Sequence, residues 1–329
     1  MKLISVAAAC AALIATGLAA SAQEARVLKF GHAASSKHPF HEGLEYFAAR
    51  VAEHTDGRIE VQVFGDRLLG DDKQLLEGLQ IGTIEGAMVS SPVLPLVIGA
   101  GSFDALQLPF VANSYSQVSD LLTSPLGDEL LATLGDKSIT GLGFVEAGLR
   151  HFLARDKPVA TLEDFAGLKT RIVPIPLHKA VWEAVGVNPI GMAYGEIYSA
   201  LETGTIEAVE INLSSIQTES LFESAKDVTL TGHYFWPGVI MVAGPVWATL
   251  DAETQAALRT AGRETTIDAY RKGAAQEAEA RAFLEANGVT IGELDNPAAM
   301  RSAVAPVVAE WTAKDSLIAR IVEALGEGS

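Results

Sequence analysis

The sequence predicts an α/β protein of two domains, with one long helix that spans both. Strand and helix patterns alternate in two separate stretches of the chain, as in domains built on a largely parallel sheet. With 329 residues, of which 49% are apolar, the chain is long enough to bury two cores and to divide into two domains. A third stretch, near the C-terminus, has the pattern of a helix longer than a single domain.

The N-terminus has the features of a secretory signal peptide. Lys2 precedes an uncharged apolar run at residues 3–19, and residues 20–22 (ASA) are small at the positions that a signal peptidase recognises. We therefore expect cleavage before Gln23 and export. One alternative is a membrane anchor, for which the run is slightly short and has no stop-transfer flank. Another is a lipoprotein modified at Cys10, which lies inside the apolar run.

Removal of residues 1–22 leaves about 307 residues without a cysteine, because Cys10 is the only one. The mature chain then has neither a disulfide nor a thiolate metal ligand. No later segment holds eighteen uninterrupted apolar residues, so no direct membrane insertion is expected after cleavage.

The charge of the chain is strongly negative. The formal net charge of −17 becomes −18 when Lys2 leaves with the signal peptide. Such a surface repels nucleic acid and anionic lipid, so neither is expected as a partner. An anionic ligand has to be held by local cations against this field.

The first α/β stretch contains three predicted strands and two helices. The strands are residues 27–32, 58–64, which alternate strictly (RIEVQVF), and 84–89. A helix is expected at 39–54. A second helix begins at Asp71 or Asp72, either of which can cap it, and ends near Gly82.

The second stretch repeats the pattern. A strand begins at 141–146 and leads into Arg150, and a helical turn opens at Thr161. Further elements are expected in the order strand 168–173, helix 176–185, strand 187–192, helix 194–203 and strand 206–211. Residues 232–244 (GHYFWPGVIMVAG) are typical of a buried strand.

The long helix is predicted from Asp251 to about Asn287. Apolar residues recur at helical spacing, only Gly262 and Gly273 interrupt the segment, and Gly288 is a natural stop. At about 1.5 Å per residue it would be roughly 55 Å long, which exceeds one domain.

Motifs of common enzyme classes are missing from the sequence. There is no G-x-S-x-G nucleophile elbow and no phosphate-binding loop, and Glu146 stands where a third glycine would complete G-x-G-x-x-G after residue 141. Only His38 and His41 could share a helix face, and the nearby His32 does not complete a zinc motif. We therefore expect no catalysis, no cofactor and no metal.

Four motifs follow one another in the sequence. They are LLGDDKQLLEGLQIGTIEGA at 68–87, GLKTR at 167–171, GVNPIGMAYGEIYSAL at 186–201 and GTIE at 204–207. In this order and spacing the chain resembles the solute-binding subunits of TRAP (tripartite ATP-independent periplasmic) transporters, the DctP-type family. Leu69 stands where the family usually has glutamine. The resemblance covers essentially the whole mature chain.

The resemblance implies a fold and an anchor for the ligand. The fold is the two-domain clamshell of periplasmic binding proteins, and the arginine of G-L-K-x-R, here Arg171, pairs with a ligand carboxylate. Its planar guanidinium can make two parallel hydrogen bonds to a carboxylate. From the residues alone, a surface arginine near Glu163 or Asp164 is an equal alternative.

Further ligand contacts are implied in the second domain. Arg150 matches a second family arginine, with an interdomain ion pair as the alternative, and Tyr194 matches an aromatic beside the ligand, with core packing as the alternative. Glu210 and Asn212 match a ligand-facing E-N segment, in which Ile211 intervenes here.

On the opposing wall, the resemblance implies contacts from Asp72 and Ser90. His32, after the first strand, is expected to reach the mouth of the cleft. Trp236 lines the pocket or packs in the core.

The best-supported ligand is a sugar acid such as a uronate or an aldonate. C4-dicarboxylates and 2-oxo or 2-hydroxy monocarboxylates are alternatives within the family, and an ABC-type binding protein or a periplasmic enzyme are alternatives of class. The resemblance implies a periplasmic location, with the small and large integral membrane subunits of the transporter as partners. The domain limits expected are 23–148 plus about 237–278 for the first domain, and 149–236 plus about 279–329 for the second.

Overall fold

The computed structural model describes residues 25–326, so the predicted signal peptide at 1–22 lies outside the described residues. The strands are Arg26–Gly31 (β1), Ile59–Phe64 (β2), Gly86–Ser90 (β3), Ile139–Ala154 (β4), Lys169–Ile172 (β5), Asn188–Gly191 (β6), Ala208–Asn212 (β7), Asp227–Leu230 (β8), Phe235–Ala243 (β9) and Thr290–Glu293 (β10). The α-helices are Pro39–His54 (α1), Asp72–Ile81 (α2), Val93–Ile98 (α3), Tyr115–Leu122 (α4), Pro125–Ala132 (α5), Pro176–Val185 (α6), Ile197–Glu202 (α7), Leu213–Thr218 (α8), Gly244–Trp247 (α9), Ala252–Ala286 (α10), Pro297–Thr312 (α11) and Ser316–Gly326 (α12).

The strands form a sheet in the order β2-β1-β3-β9-β4-β7-β5-β6, with β8 and β10 attached beside β4. Strand β4 pairs with β9 from Ile139 to Leu149 and with β7 from Arg150 to Ala154. One strand is therefore shared by two halves of the sheet. We call β1, β2, β3, β9, the start of β4 and the helices packed on them the first lobe. The second lobe is β5, β6, β7, β8, β10, the end of β4 and their helices.

The division of β4 falls at an irregularity. Its pairing with β9 shifts register between Glu146 and Leu149, where Gly148 has a φ of +111°, a conformation that glycine adopts without steric cost. The expected domain limit at residue 148 lies at this point, inside a strand rather than in a loop.

From β1 to β3 the chain follows the predicted strand–helix order, with boundaries shifted by at most two residues. Helix α1 buries Phe40, Leu44, Phe47 and Val51, which lie three or four residues apart on one face. Asp71 caps α2 in a capping box with Gln74, and this leaves Asp72 as the first residue of the helix.

In the second lobe, β5 lies between β6 and β7 and is parallel to both. The helix expected at 194–203 is divided. A 3-10 turn, Tyr194–Glu196, precedes α7. Tyr194 therefore stands in the short connection that follows β6.

Several elements were not predicted, namely α3, α4, α5, α8, β8, α9, β10, α11 and α12. Helix α11 packs on α6, whereas α12 packs on α4 and on the 3-10 segment Gly101–Gln107. Helix α11 also contacts Gly101–Gln107, so the C-terminal residues pack on both lobes. Their apolar positions alone did not show which lobe they would cover.

The long helix is confirmed. Helix α10 has 35 residues, begins after the N-cap Asp251 and ends before Asn287, with Gly288 at a φ of +79°. It contacts α1 and α4 of the first lobe and α8 of the second. Within residues 25–326, no helix combines the length and the hydropathy that a membrane crossing requires.

Two glycines allow α10 to approach β4 closely. A Cβ atom on Gly262 would lie 2.2 Å from the carbonyl oxygen of Leu142, and one on Gly143 would lie 2.3 Å from the carbonyl oxygen of Gly262. Both obstacles are backbone atoms, which cannot rotate out of the way.

We predict that Gly262→Ala destabilises the protein, although alanine gains about 1 kcal/mol over glycine in an unhindered helix. Overpacking against a fixed backbone should lower the free energy of unfolding by about 1–3 kcal/mol in a denaturant titration. Thr260→Ala, at an exposed position of the same helix, is the control and should not lower it. Equal or greater stability of the glycine variant would contradict the close approach.

Candidate functional site: a cleft between the lobes

A cleft of about 200 Å³ lies between the two lobes. The lining residues of the first lobe are Ala33, Arg67, Asp71, Asp72, Lys73, Ser90, Val93, Leu96 and Val97, together with Trp236 of β9. Those of the second lobe are Arg171, Val173, Pro174, Met192, Ala193, Tyr194 and Gly195. Several follow or end parallel strands, which is where open α/β sheets usually bind ligands.

Arg171, in β5, is the central cation of this cleft. The residue is only 2% exposed, and its Nε and Nη2 both donate to the carbonyl oxygen of Met192, at 3.1 and 2.9 Å. It forms no ion pair with a carboxylate among the described residues. Burial lowers the pKa of Arg171 to about 10, which still leaves the guanidinium protonated at neutral pH.

Asp72 and Ser90 face the cleft from the first lobe. Burial raises the pKa of Asp72 to about 7, against the opposing effects of hydrogen bonds from Ser90 and of the charge on Arg171. The carboxyl group is therefore poised near neutral pH, where it can accept or share a hydrogen bond with a ligand.

Tyr194 and Trp236 supply the aromatic part of the lining. Burial raises the pKa of Tyr194 above its usual range, so the phenol keeps its proton. Trp236 is 6% exposed, and the guanidinium carbon of Arg150 lies over its ring, 3.7 Å from the ring centroid.

Arg150 itself does not line the cleft, because it is paired with Glu210. Its Nη2 lies 2.7 Å from Glu210 Oε2, its Nε donates to the same oxygen at 2.8 Å, and it also donates to the backbone carbonyl of Glu210. The pair joins β4 to β7 within the second lobe. Its position behind Trp236 makes it a support of the cleft wall.

The surroundings of Glu210 keep it ionised. Burial alone would raise its pKa, but the charge of Arg150 and the ring of His233, whose Nε2 lies 3.6 Å from Oε2, hold the pKa well below its usual range. Tyr234 also donates to Oε2, at 3.0 Å. Burial lowers the pKa values of His178 and His233 to about 3 and about 4, so both are neutral and the cluster carries one positive and one negative charge.

The side chain of Asn212 also forms its hydrogen bonds within the protein interior. Its Nδ2 donates to the Ala147 carbonyl at 2.7 Å, and its Oδ1 accepts from Ser215 Oγ at 2.9 Å and from Arg150 at 3.4 Å. It is fully buried and absent from the cleft lining. A ligand contact by Asn212 has no support from this geometry.

His32 lies beneath the surface of the first lobe. Its Nε2 shares a hydrogen bond with His41 Nδ1 at 2.9 Å, and the residue is 1% exposed. It does not line the cleft. Among residues 25–326, no group of three or more His, Cys, Asp or Glu side chains is arranged to hold a metal ion.

Of the site residues predicted from the sequence, the structure thus brings Arg171, Tyr194, Asp72 and Ser90 together at the cleft. Sequence reasoning missed Arg67 and the apolar wall formed by α3. Arg67 follows β2 inside a turn between two glycines, and a search for cations at strand ends in so acidic a chain would have included it.

A cleft between two α/β lobes with a shared strand, lined by a buried arginine, defines a two-lobed ligand-binding protein. The chain belongs to the bacterial extracellular solute-binding proteins of family 7, the DctP family, which matches residues 30–315. The resemblance to TRAP solute-binding subunits is confirmed.

Relatives and solved structures support the same family. The chain is 30% identical over 259 residues to the C4-dicarboxylate-binding periplasmic protein DctP of Rhodobacter capsulatus, covering 78% of this chain and 76% of that one. The sugar acid binding protein DctPAm of Advenella mimigardefordensis, in complex with galactonate, superimposes with a TM-score of 0.87 at 26% identity, covering 93% and 99%. A Bradyrhizobium TRAP solute-binding protein in complex with galacturonate has a TM-score of 0.86 at 29% identity, covering 92% and 100%.

We predict that Glu210→Ala lowers the free energy of unfolding by about 3–5 kcal/mol, because it leaves Arg150 buried without a counter-charge. The double variant Arg150→Met/Glu210→Leu should recover much of that loss. Denaturant titration at pH 7 measures both.

Glu129→Ala is the matched control, since it removes an exposed ion pair with Arg320 at 2.7 Å. It should cost far less than Glu210→Ala, because solvent screens the exposed pair. If Glu210→Ala were no worse than this control, the buried pair would not support the cleft as described.

Proposed function

We propose that this protein captures a small sugar acid with one carboxylate, such as a uronate or an aldonate, in the periplasm and delivers it to the membrane subunits of a TRAP transporter. The observation that carries the proposal is the buried guanidinium of Arg171, which lines the cleft and pairs with no carboxylate within residues 25–326. A ligand carboxylate supplies the missing negative charge.

The charge balance of the cleft favours a ligand with a single carboxylate. Of the other lining cations, Arg67 pairs with Glu219 at 3.4 Å, and Lys73 is 67% exposed and lies 3.8 Å from Glu77. A second carboxylate on the ligand would meet Asp72 rather than a free cation. Like charges brought together in a closed site lower affinity.

The remaining lining suits a hydroxylated carbon chain or ring. Asp72, Ser90 and Tyr194 offer groups that can bond hydroxyls. The α3 residues Val93 and Val97, with Trp236, offer apolar surface for the C–H faces of a sugar. Galactonate and galacturonate, bound by the two solved structures, have this combination of one carboxylate with several hydroxyls.

Export and partners follow from the family and the sequence. The matched family is extracellular, and residues 1–22 have the pattern of a cleaved signal peptide. We propose a periplasmic location, the small and large integral membrane subunits as partners, and no catalytic step of the protein's own.

Binding would proceed by closure of the lobes. The second lobe holds the carboxylate on Arg171, and the first lobe adds Asp72 and Ser90 as the cleft narrows. The moving units are the domains expected from the sequence, with residues 316–326 carried by the first lobe. Each hydrogen bond to a charged group contributes about 1.5–3 kcal/mol. Two or three of them, less the cost of immobilising the ligand, do not reach the roughly 8 kcal/mol of micromolar affinity, so the apolar contacts with the lining must contribute as well.

We predict that Arg171→Ala abolishes ligand binding. A thermal-shift screen of the wild-type protein against organic acids identifies the ligand, and titration calorimetry of the variant should then show at least about a 100-fold weaker Kd. Arg171→Lys keeps the charge but loses the planar fork, so its affinity should be intermediate.

Lys73→Ala removes another cation from the cleft rim and is the matched control. Its Kd should stay within about three-fold of the wild type because its charge is exposed and screened. An unchanged Kd for the Arg171→Ala variant would overturn the proposed anchor.

A second prediction concerns selectivity. Galacturonate or galactonate should bind at least about 100-fold more tightly than a C4-dicarboxylate such as succinate. At pH 8, where Asp72 is largely ionised, Asp72→Asn should narrow this ratio, since it removes the like charge that opposes a second carboxylate. Tighter binding of the dicarboxylate by the wild type would favour the alternative ligand class.

A further inference from the structure

We propose that Glu219 is the latch that holds the closed lobes together over the ligand, with Ser35 and Arg67 as its partners. This inference rests on the proposed function, because it assigns a positioning role within the same ligand cleft. It concerns the lifetime of the complex rather than the choice of ligand.

Glu219 reaches from one lobe to the other. It follows α8 of the second lobe, and its Oε1 accepts a hydrogen bond from the backbone N–H of Ser35 in the first lobe at 2.8 Å. Its Oε2 lies 3.4 Å from Nη2 of Arg67, also in the first lobe. Both carboxylate oxygens are therefore bonded across the gap between the lobes.

Arg67 connects this latch to the ligand cavity. It lines the cleft, and its guanidinium carbon lies 5.9 Å from the ring centroid of Tyr194 in the second lobe. Its Nη1 donates to the Ala33 carbonyl at 2.8 Å, which fixes the guanidinium on the first lobe. The latch is thus part of the wall that encloses the ligand.

The backbone at this point is held in an unfavourable conformation. Asp66 and Arg67 have φ values of +55° and +62°, in the left-handed region that side chains other than glycine rarely adopt. Bonds from Asp66 N to the Ala34 carbonyl, at 2.8 Å, and from Ser36 N to Asp66 Oδ1, at 3.2 Å, secure it. Strained backbone of this kind is retained where it serves a purpose, and here it directs Arg67 across the cleft.

The two bonds of Glu219 join residues of opposite lobes, so they break when the lobes move apart at this point. They therefore stabilise the closed state over the open one and leave the open state unchanged. Loss of such a contact should speed ligand release, with little effect on association, since the ligand enters the open form.

The test compares Glu219→Ala, Glu219→Gln and the wild type in stopped-flow or surface-plasmon-resonance measurements with the ligand that the screen identifies. Glu219→Ala removes both bonds and should raise koff about ten-fold or more with kon within about two-fold. Glu219→Gln keeps an acceptor for Ser35 and should fall between the two.

The matched control is Glu223→Gln, four residues further along. Glu223 accepts a hydrogen bond from Tyr198 at 2.8 Å within the second lobe, so the rates should not change. Melting temperatures of all ligand-free variants check that the fold is intact.

A second readout follows the lobes directly. The chain's one cysteine, Cys10, lies in the predicted signal peptide, so spin labels can be placed at Glu60→Cys of β2 and Asn188→Cys of β6 without background. With saturating ligand, Glu219→Ala should add a longer distance to the single closed distance of the wild type.

An unchanged koff and distance distribution in Glu219→Ala would overturn the latch. That result would leave the proposed function intact, since ligand capture depends on Arg171, and only the Arg171 variants test the anchor.

Discussion

The site depends on a buried positive charge that the protein itself does not neutralise. Burying an ion is costly unless it is paired, and in the described part of the chain Arg171 donates hydrogen bonds only to the carbonyl of Met192. The other buried arginine of this region, Arg150, is fully paired with Glu210. This contrast assigns the two arginines different tasks, since Arg150 supports the cleft wall behind Trp236 whereas Arg171 is left to attract an anion. The attraction acts locally, against a chain with a net charge of −17.

The elements that join the lobes also shape the site. Glu146, at the irregularity of β4, accepts hydrogen bonds from the backbone N–H groups of Gly148 at 2.8 Å and of Trp236 at 2.9 Å. The same carboxyl group is thus bonded to β4, at the point where the lobes divide, and to β9, the strand that contains Trp236 of the cleft lining. Burial raises the pKa of Glu146 to about 7, which marks it as a desolvated group rather than a surface carboxylate. Helix α10 packs on β4, so it supports the point where the lobes divide.

Much of the fold could be predicted from the sequence because its local signals agree. Strict alternation in β2, the caps of α2 and the uninterrupted pattern of α10 each point to one element. The short helices α3 and α8 and the strands β8 and β10 escaped prediction, because segments of four to six residues carry little periodicity. The lobe covered by α12 depends on tertiary packing, which no local pattern encodes.

The site was predicted less completely than the fold. Motif resemblance found Arg171, Tyr194, Asp72 and Ser90, which the structure places on the cleft. It also suggested Arg150, Glu210 and Asn212, whose hydrogen bonds are made within the protein. A motif shows which residues lie near a site. Only the three-dimensional structure shows whether the hydrogen-bonding groups of a side chain are already bonded to neighbouring protein atoms. Arg67 and Glu219 escaped notice for the converse reason, since their meeting across the lobes joins residues 152 positions apart.

The most direct test of the central claim is a crystal structure of the protein with the sugar acid that it binds most tightly. The structure predicts a ligand carboxylate oxygen within hydrogen-bonding distance, about 3 Å, of the Arg171 guanidinium, with Arg150 still paired to Glu210. A carboxylate bound elsewhere in the cleft, with Arg171 bonded only to Met192, would contradict it.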